Sequence, residues 1–301
     1  MIQRRHPRRG QSLVELLIAL AVLAILGTSV TRLLIWQSRF YDQQAQGRAA
    51  RSASRSGMNM LLSELRMLDA SGATAVDTVG VDSLRTGDVY LRVPFAFGIV
   101  CDNTGGAQLS ISILPVDSLL YDDAVKPASG GFVGFAFRDS VSGRYHYVER
   151  STMPVITNAG GTQCAAVNIG AATQGRYVQI TPGVPVGGMM PGAGAPVYLY
   201  QRIRYRFAAS TSIPGTVALW RTIVRTGADE EIAAPFDGTA QFRWFMKDNS
   251  AVPTTVAPAS LADVRGLELL LNGISARIAE GAAAPASAPV STSVFFKNRL
   301  D

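Results

Sequence analysis

Sixteen consecutive residues without a charge, 16–31 (LLIALAVLAILGTSVT), stand between Glu15 and Arg32 near the start of this chain. Taken from Gln11 and wound as a helix at about 1.5 Å per residue, the segment is roughly 30 Å long, the thickness of a bilayer's hydrocarbon core. The ten residues before it, MIQRRHPRRG, hold four arginines and no acid. A secretory signal peptide shares the basic start but has a shorter apolar region, followed by a small-residue cleavage site. A plain signal anchor explains the length but not Glu15. A carboxylate inside a membrane segment costs about 2.5–3.5 kcal/mol on insertion scales, so it has a function or a partner.

Gly10 followed by QSLVELLIAL resembles the class III signal of type IV prepilins. The resemblance implies that a prepilin peptidase cuts between Gly10 and Gln11 on the cytoplasmic face. It also implies that Glu15, then at the fifth mature position, neutralises the new amino terminus of a neighbouring subunit. The family most often begins its mature chain with Phe and methylates it, whereas Gln11 stands here. By the positive-inside rule the leader arginines stay cytoplasmic, so the body faces the periplasm or the cell exterior.

No proline occurs between Pro7 and Pro94, and helix-compatible residues run from Gln11 to about Asp69. Met58, Leu61, Leu62, Leu65 and Leu68 recur at helical spacing, with a thinner stripe of Ala45, Ala49 and Ala53 before them. Gly27 and Gly57 are expected to let the helix bend or locally melt. Beyond Gly72, short β-branched and aromatic runs alternate with Gly, Asp, Pro and Ser clusters. Strands are expected at 88–93, 109–114, 131–138, 144–150, 177–180, 197–207, 216–224, 240–246, 267–274 and 294–299. The run YHYVERS should pair with 131–138 as a hairpin. Residues 181–196 should be a loop at a seam between two sub-sheets, and 280–290 (EGAAAPASAPV) a flexible loop. The expected fold class is α+β: a pilin-like lollipop with a long N-terminal α-helix, transmembrane in its first half, packed on a β-rich antiparallel head. Its parts are a leader (1–10), a membrane or filament-core helix (11–31), an amphipathic stem (32–70) and a head (71–301).

The formal charge of +6 invites a nucleic-acid reading, but residues 69–301 hold 18 basic and 19 acidic side chains. The excess lies in the leader and stem, where a solvated or subunit-facing helix surface is the plain reading and lipid headgroups are a natural partner. A local basic patch on the head would escape this count, so nucleic acid stays open as a partner. The two cysteines, Cys101 and Cys164, are a candidate disulfide in an exported protein, with free buried thiols as the alternative. No HExxH, CxxC, GxSxG or GxxxxGK[ST] pattern is present, so no catalytic residue, cofactor or metal is expected. Asp102, Asn103, Asp122 and Asp123 fall in expected loops and could ligate calcium, but they do not have the spacing of an EF-hand and read first as turn residues. His146 reads as an exposed or packed imidazole. Trp220, Phe242, Trp244 and Phe245 alternate within strands and read as core.

In the C-terminal half, LYQRIRYRF, VALWRTIV, EEIAAPFDGTAQFRWF, VRGLELLLNGI and STSVFFKNRLD follow in an order that is similar to PilW-type minor pilins and to pseudopilin J of type II secretion. This resemblance implies a non-enzymatic subunit that helps initiate or cap a filament at its tip. Its implied partners are the prepilin peptidase, other major and minor pilin or pseudopilin subunits, and an inner-membrane assembly platform. A tip adhesin or DNA-uptake module is the alternative of another class, and an ectoenzyme on an anchor a third.

Overall fold

A computed structural model describes residues 13–65, 76–80, 88–103, 108–113, 131–138, 145–150, 155–157, 175–181, 190–247, 251–256 and 264–295, with positions 140, 164, 167 and 169 between them. One helix, α1 (Leu13–Leu65), precedes thirteen strands among these residues: β1 (Val76–Gly80), β2 (Asp88–Asn103), β3 (Leu109–Ile113), β4 (Phe132–Arg138), β5 (Tyr145–Glu149), β6 (Val155–Thr157), β7 (Arg176–Ile180), β8 (Pro196–Ala209), β9 (Val217–Ile223), β10 (Ala228–Phe236), β11 (Gln241–Met246), β12 (Val264–Ile274) and β13 (Ser287–Phe295). At 53 residues α1 is about 80 Å long. The fold is a long apolar helix followed by an antiparallel β head.

The head is organised by two long antiparallel partners. β2 and β8 pair from Val89↔Tyr205 to Ile99↔Pro196. The other edge of β8 takes β4 along residues 197–201 and β9 along 203–209. The other edge of β2 takes β1 near its start and β3 near its end. The ladder therefore carries two wings. Strands β9, β10, β12, β11 and β13 extend one, and β3, β7, β6, β4 and β5 the other.

Each wing has its own core. The first gathers Val89, Leu91, Ile203, Tyr205, Phe236, Phe242, Trp244 and Leu269 under Met58, Leu61 and Leu65 of α1. The second packs Ile111, Phe132, Phe135, Phe137, Val178 and Leu199 with no residue of the helix. On the far face of the second wing Cys101 and Cys164 are joined by a disulfide (Cα–Cα 4.7 Å), buried with Ile99 and Tyr177. The bond closes a loop spanning 63 residues, worth about 4 kcal/mol in the chain-entropy model.

The expected hairpin is present: β4 and β5 pair with Phe137 opposite His146, whose ring stacks on that phenylalanine at 5.6 Å. Several expectations need correction. β2 does not end at Val93 but runs through Pro94, because a register shift between Pro94 and Ala96 absorbs the missing N–H. β10 was not expected, since ADEEIAAPF lacks alternation and holds a single β-branched residue, Ile232, yet it pairs with β9 along its length. The stretch 280–290 is not wholly a loop. From Ser287 it is β13, in unbroken register with β12. β1 and β6 were also not expected. Trp220 is not core: it is half-buried on the face away from the helix, under the Arg206 guanidinium. Residues 66–69 of the expected helix, 296–299 of the expected last strand, and Asp122 and Asp123 lie outside the described residues.

Candidate functional site

The first half of α1 offers apolar surface that none of the described residues covers. Leu13, Leu16, Leu17, Ile18, Leu20, Leu23, Ile25, Leu26, Leu33, Leu34, Trp36 and Phe40 are all exposed. The hydropathy of this span is that of a membrane helix, and none of it is buried against the head. Its few hydroxyls are satisfied locally. Thr28 and Ser29 donate to the Ile25 carbonyl at 2.9 Å, and Thr31 to that of Gly27 at 2.8 Å. Such back-bonding lets a polar side chain stay in an apolar medium without an outside partner. Gly27 causes no break here; α1 is continuous through it.

Glu15 lies in the first turn of α1, on the exposed helix surface. Gly10 and Gln11, the expected cleavage positions, lie outside the described residues.

The second half of α1 is seated on the first wing. The buried face is Gln46, Ala50, Ser54, Gly57, Met58, Leu61 and Leu65. The expected stripe of Ala45, Ala49 and Ala53 is not that face: Ala45 and Ala49 are exposed, and the true seam is offset by one residue. Leu68 lies outside the described residues. Gly57 is not a melting point but a close-packing position. A Cβ there would stand 3.0 Å from Phe236 Cζ and 3.3 Å from Ala233 Cβ. Gly273 of β12 plays the same part from the other side, since a Cβ on it would fall on the Ala50 carbonyl oxygen and Ser54 Oγ.

Ser54 locks this approach. Its hydroxyl accepts from the Gly273 N–H at 2.8 Å and donates to the Ala288 carbonyl at 2.7 Å. Gly273 and Ala288 are register partners on β12 and β13. A helix side chain thus stands in the ladder between two strands, and it is fully buried.

Nearer the membrane end, Asp42 pairs with Arg277 and accepts the Glu280 N–H at 3.0 Å, while Arg39 Nε reaches Glu280 at 3.3 Å. The Glu280 N–H and then Arg277 hold the Asp42 carboxyl below the usual carboxylate range. Beside the stem a cavity of about 230 Å³ is lined by Ala53, Ser56, Ser212, Ile213 and Glu231. Burial pushes the Glu231 pKa up, but hydrogen bonds from Ser210, Ser212 and Thr211 outweigh it and bring it to about 2. Both carboxylate oxygens already accept from this serine–threonine turn, so the cavity offers no open carboxylate. Among the described residues no group of three His, Cys, Asp or Glu side chains is placed to hold a metal. Asp102 is exposed.

The model of the prokaryotic N-terminal methylation motif matches residues 5–31. The chain carries the N-terminal signal of type IV pilin-like precursors. That signal marks a structural subunit anchored at the inner membrane, processed by a prepilin peptidase and assembled with other pilin subunits. No curated protein and no solved structure matches the chain.

Proposed function

We propose that this chain is a minor pilin of a type IV pilus. The peptidase removes residues 1–10, the mature chain begins at Gln11, and the subunit joins a tip complex that initiates or caps assembly. The observation that carries the reading is the prepilin motif placed on a helix whose first half is apolar and wholly exposed. An apolar surface of that length is stable only in lipid or against other apolar helices. In the membrane it is a single-pass anchor with a cytoplasmic N-terminus, and in the filament it becomes part of the helical core.

Glu15 works in this second environment. Transfer from membrane to filament brings the α-amine of one subunit near the carboxylate of another in an apolar medium, where each charge is costly alone. A large head, residues 71–301, suits a tip position, where it does not have to fit a repeating lattice. The Cys101–Cys164 bond persists in the oxidising space outside the inner membrane.

The test is Glu15→Val in cells that assemble the filament. The leader is removed as in the unmutated chain, while the amount recovered in sheared filaments falls at least tenfold. Equal recovery of the variant would remove Glu15 from the assembly step.

A further inference from the structure

Strands at a sheet border present unpaired N–H and C=O groups, and proteins usually blunt them with charge, proline, bulges or shortness. Among the described residues most border strands here follow that rule. β1 carries Asp77, β5 carries Glu149 and β11 carries Arg243. β6 has three residues. β13 follows it at one position alone, Pro289. Its sequence, SAPVSTSVF, has no charge in nine residues. It pairs with β12 from Ser287↔Ile274 to Phe295↔Gly266 without a bulge, and among the described residues no strand lies on its other side.

The ladder's alternation shows which backbone groups face that side. Ser275 N–H bonds the Ala286 carbonyl at 2.8 Å. In the same register Ala288, Val290, Thr292 and Val294 turn their backbone groups toward β12. Ser287, Pro289, Ser291, Ser293 and Phe295 then turn theirs outward. Their side chains are also the exposed ones. Only Pro289 lacks an outward donor.

We infer that the free edge of β13 is a strand-addition site for the head of a neighbouring pilin-type subunit, a surface that rests on the filament-subunit reading above. The occupant follows from position. β13 lies against the stem through the Ser54–Ala288 bond, and the same helix continues into the uncovered apolar span. Subunits that pack around that span stand beside β13. The chemistry fits a strand of uncharged residues, polar where it meets Ser291 and Ser293 and apolar or β-branched where it meets the half-buried row of Val290 and Val294. Main-chain hydrogen bonds supply the attachment.

The experiment places a photo-crosslinking amino acid at Ser291 of the full chain, in cells producing its companion pilin subunits, with exposed Thr239 as the comparison position. Adducts from position 291 are expected to map to a head strand of another pilin-type subunit. Ser293→Pro, which removes an outward N–H and no internal bond, should cut their yield at least tenfold while leader removal stays normal. Ser293→Lys should act in the same direction and serves if the proline variant loses its thermal transition. Adducts only to lipid or to a second copy of this chain, no adduct above that from Thr239, or an unchanged yield in both variants overturns the inference alone. A leader retained in the unmutated chain overturns the processing reading and this one with it.

Discussion

The two halves of α1 are built on opposite terms. From Leu13 to Tyr41 the helix is rich in large apolar residues and buries none of them against the described residues. From Asp42 to Leu65 it buries a glutamine, an alanine, a serine and a glycine before it buries Met58, Leu61 and Leu65. Hydrophobicity is therefore greatest where the partner is another molecule. Where the partner is the chain's own sheet, close approach and hydrogen bonding replace bulk over the first turns of the seat. The lesson concerns reading such helices. An apolar stretch identifies the part that must find an outside environment, whereas the seat on the head is set by small residues that hydrophobicity alone does not mark.

The sharpest way to break this contrast is a matched pair of truncations, with unfolding followed in detergent micelles. Leu61→Ala, in the first core, should cost about 2–5 kcal/mol, while Leu23→Ala, on the exposed half, should leave the head's transition where it was. Equal effects would mean that the head's stability depends on the membrane half. Next in size is Ser54→Ala, which strands the Gly273 N–H and the Ala288 carbonyl. It should cost about 1–3 kcal/mol, and hydrogen exchange should speed at Gly273 first. An unperturbed Gly273 would mean the serine is not a bridge.

Acid sharpens the comparison further. The Glu231 carboxyl is depressed from 4.5 to about 2 in the folded head. Its contribution is complete above pH 4.5 and is lost as pH falls toward 2. Glu231→Gln should flatten the dependence of stability on pH in that window, read as the change in urea midpoint. The smallest effect belongs to Asp42→Asn. Its partner Arg277 is exposed and an asparagine oxygen can still accept the Glu280 N–H, so the midpoint should move little, and less still at high salt.

What the sequence revealed divides along the same line. The anchor was legible because its signals are local: a basic leader, a glycine, a glutamate and sixteen uncharged residues. The hairpin of β4 and β5 was legible because aromatic and β-branched runs flank a short turn. The cysteine pair was visible as a pair, and the structure joins it. The seat was misread by one residue, because alanines at 45, 49 and 53 look more apolar than Gln46 and Ser54. β10 was missed, and the first part of β13 was read as loop ahead of the expected strand at 294–299, for a related reason. ADEEIAAPF is mostly acidic and small, SAP opens β13 on small residues and a proline, and it is pairing with β9 and β12 that makes both strand. The close-packing roles of Gly57, against Phe236 and Ala233, and of Gly273, against Ala50 and Ser54, are properties of the fold that no local pattern marks.

Everything proposed for this chain depends on its being processed as a pilin precursor. The most direct measurement is the mass of its N-terminal peptide after co-expression with a prepilin peptidase, for the unmutated chain and for Gly10→Ala. The account predicts a mature chain starting at Gln11 in the first and an intact leader in the second. A leader retained in both, or a cut beyond the apolar run, would contradict it.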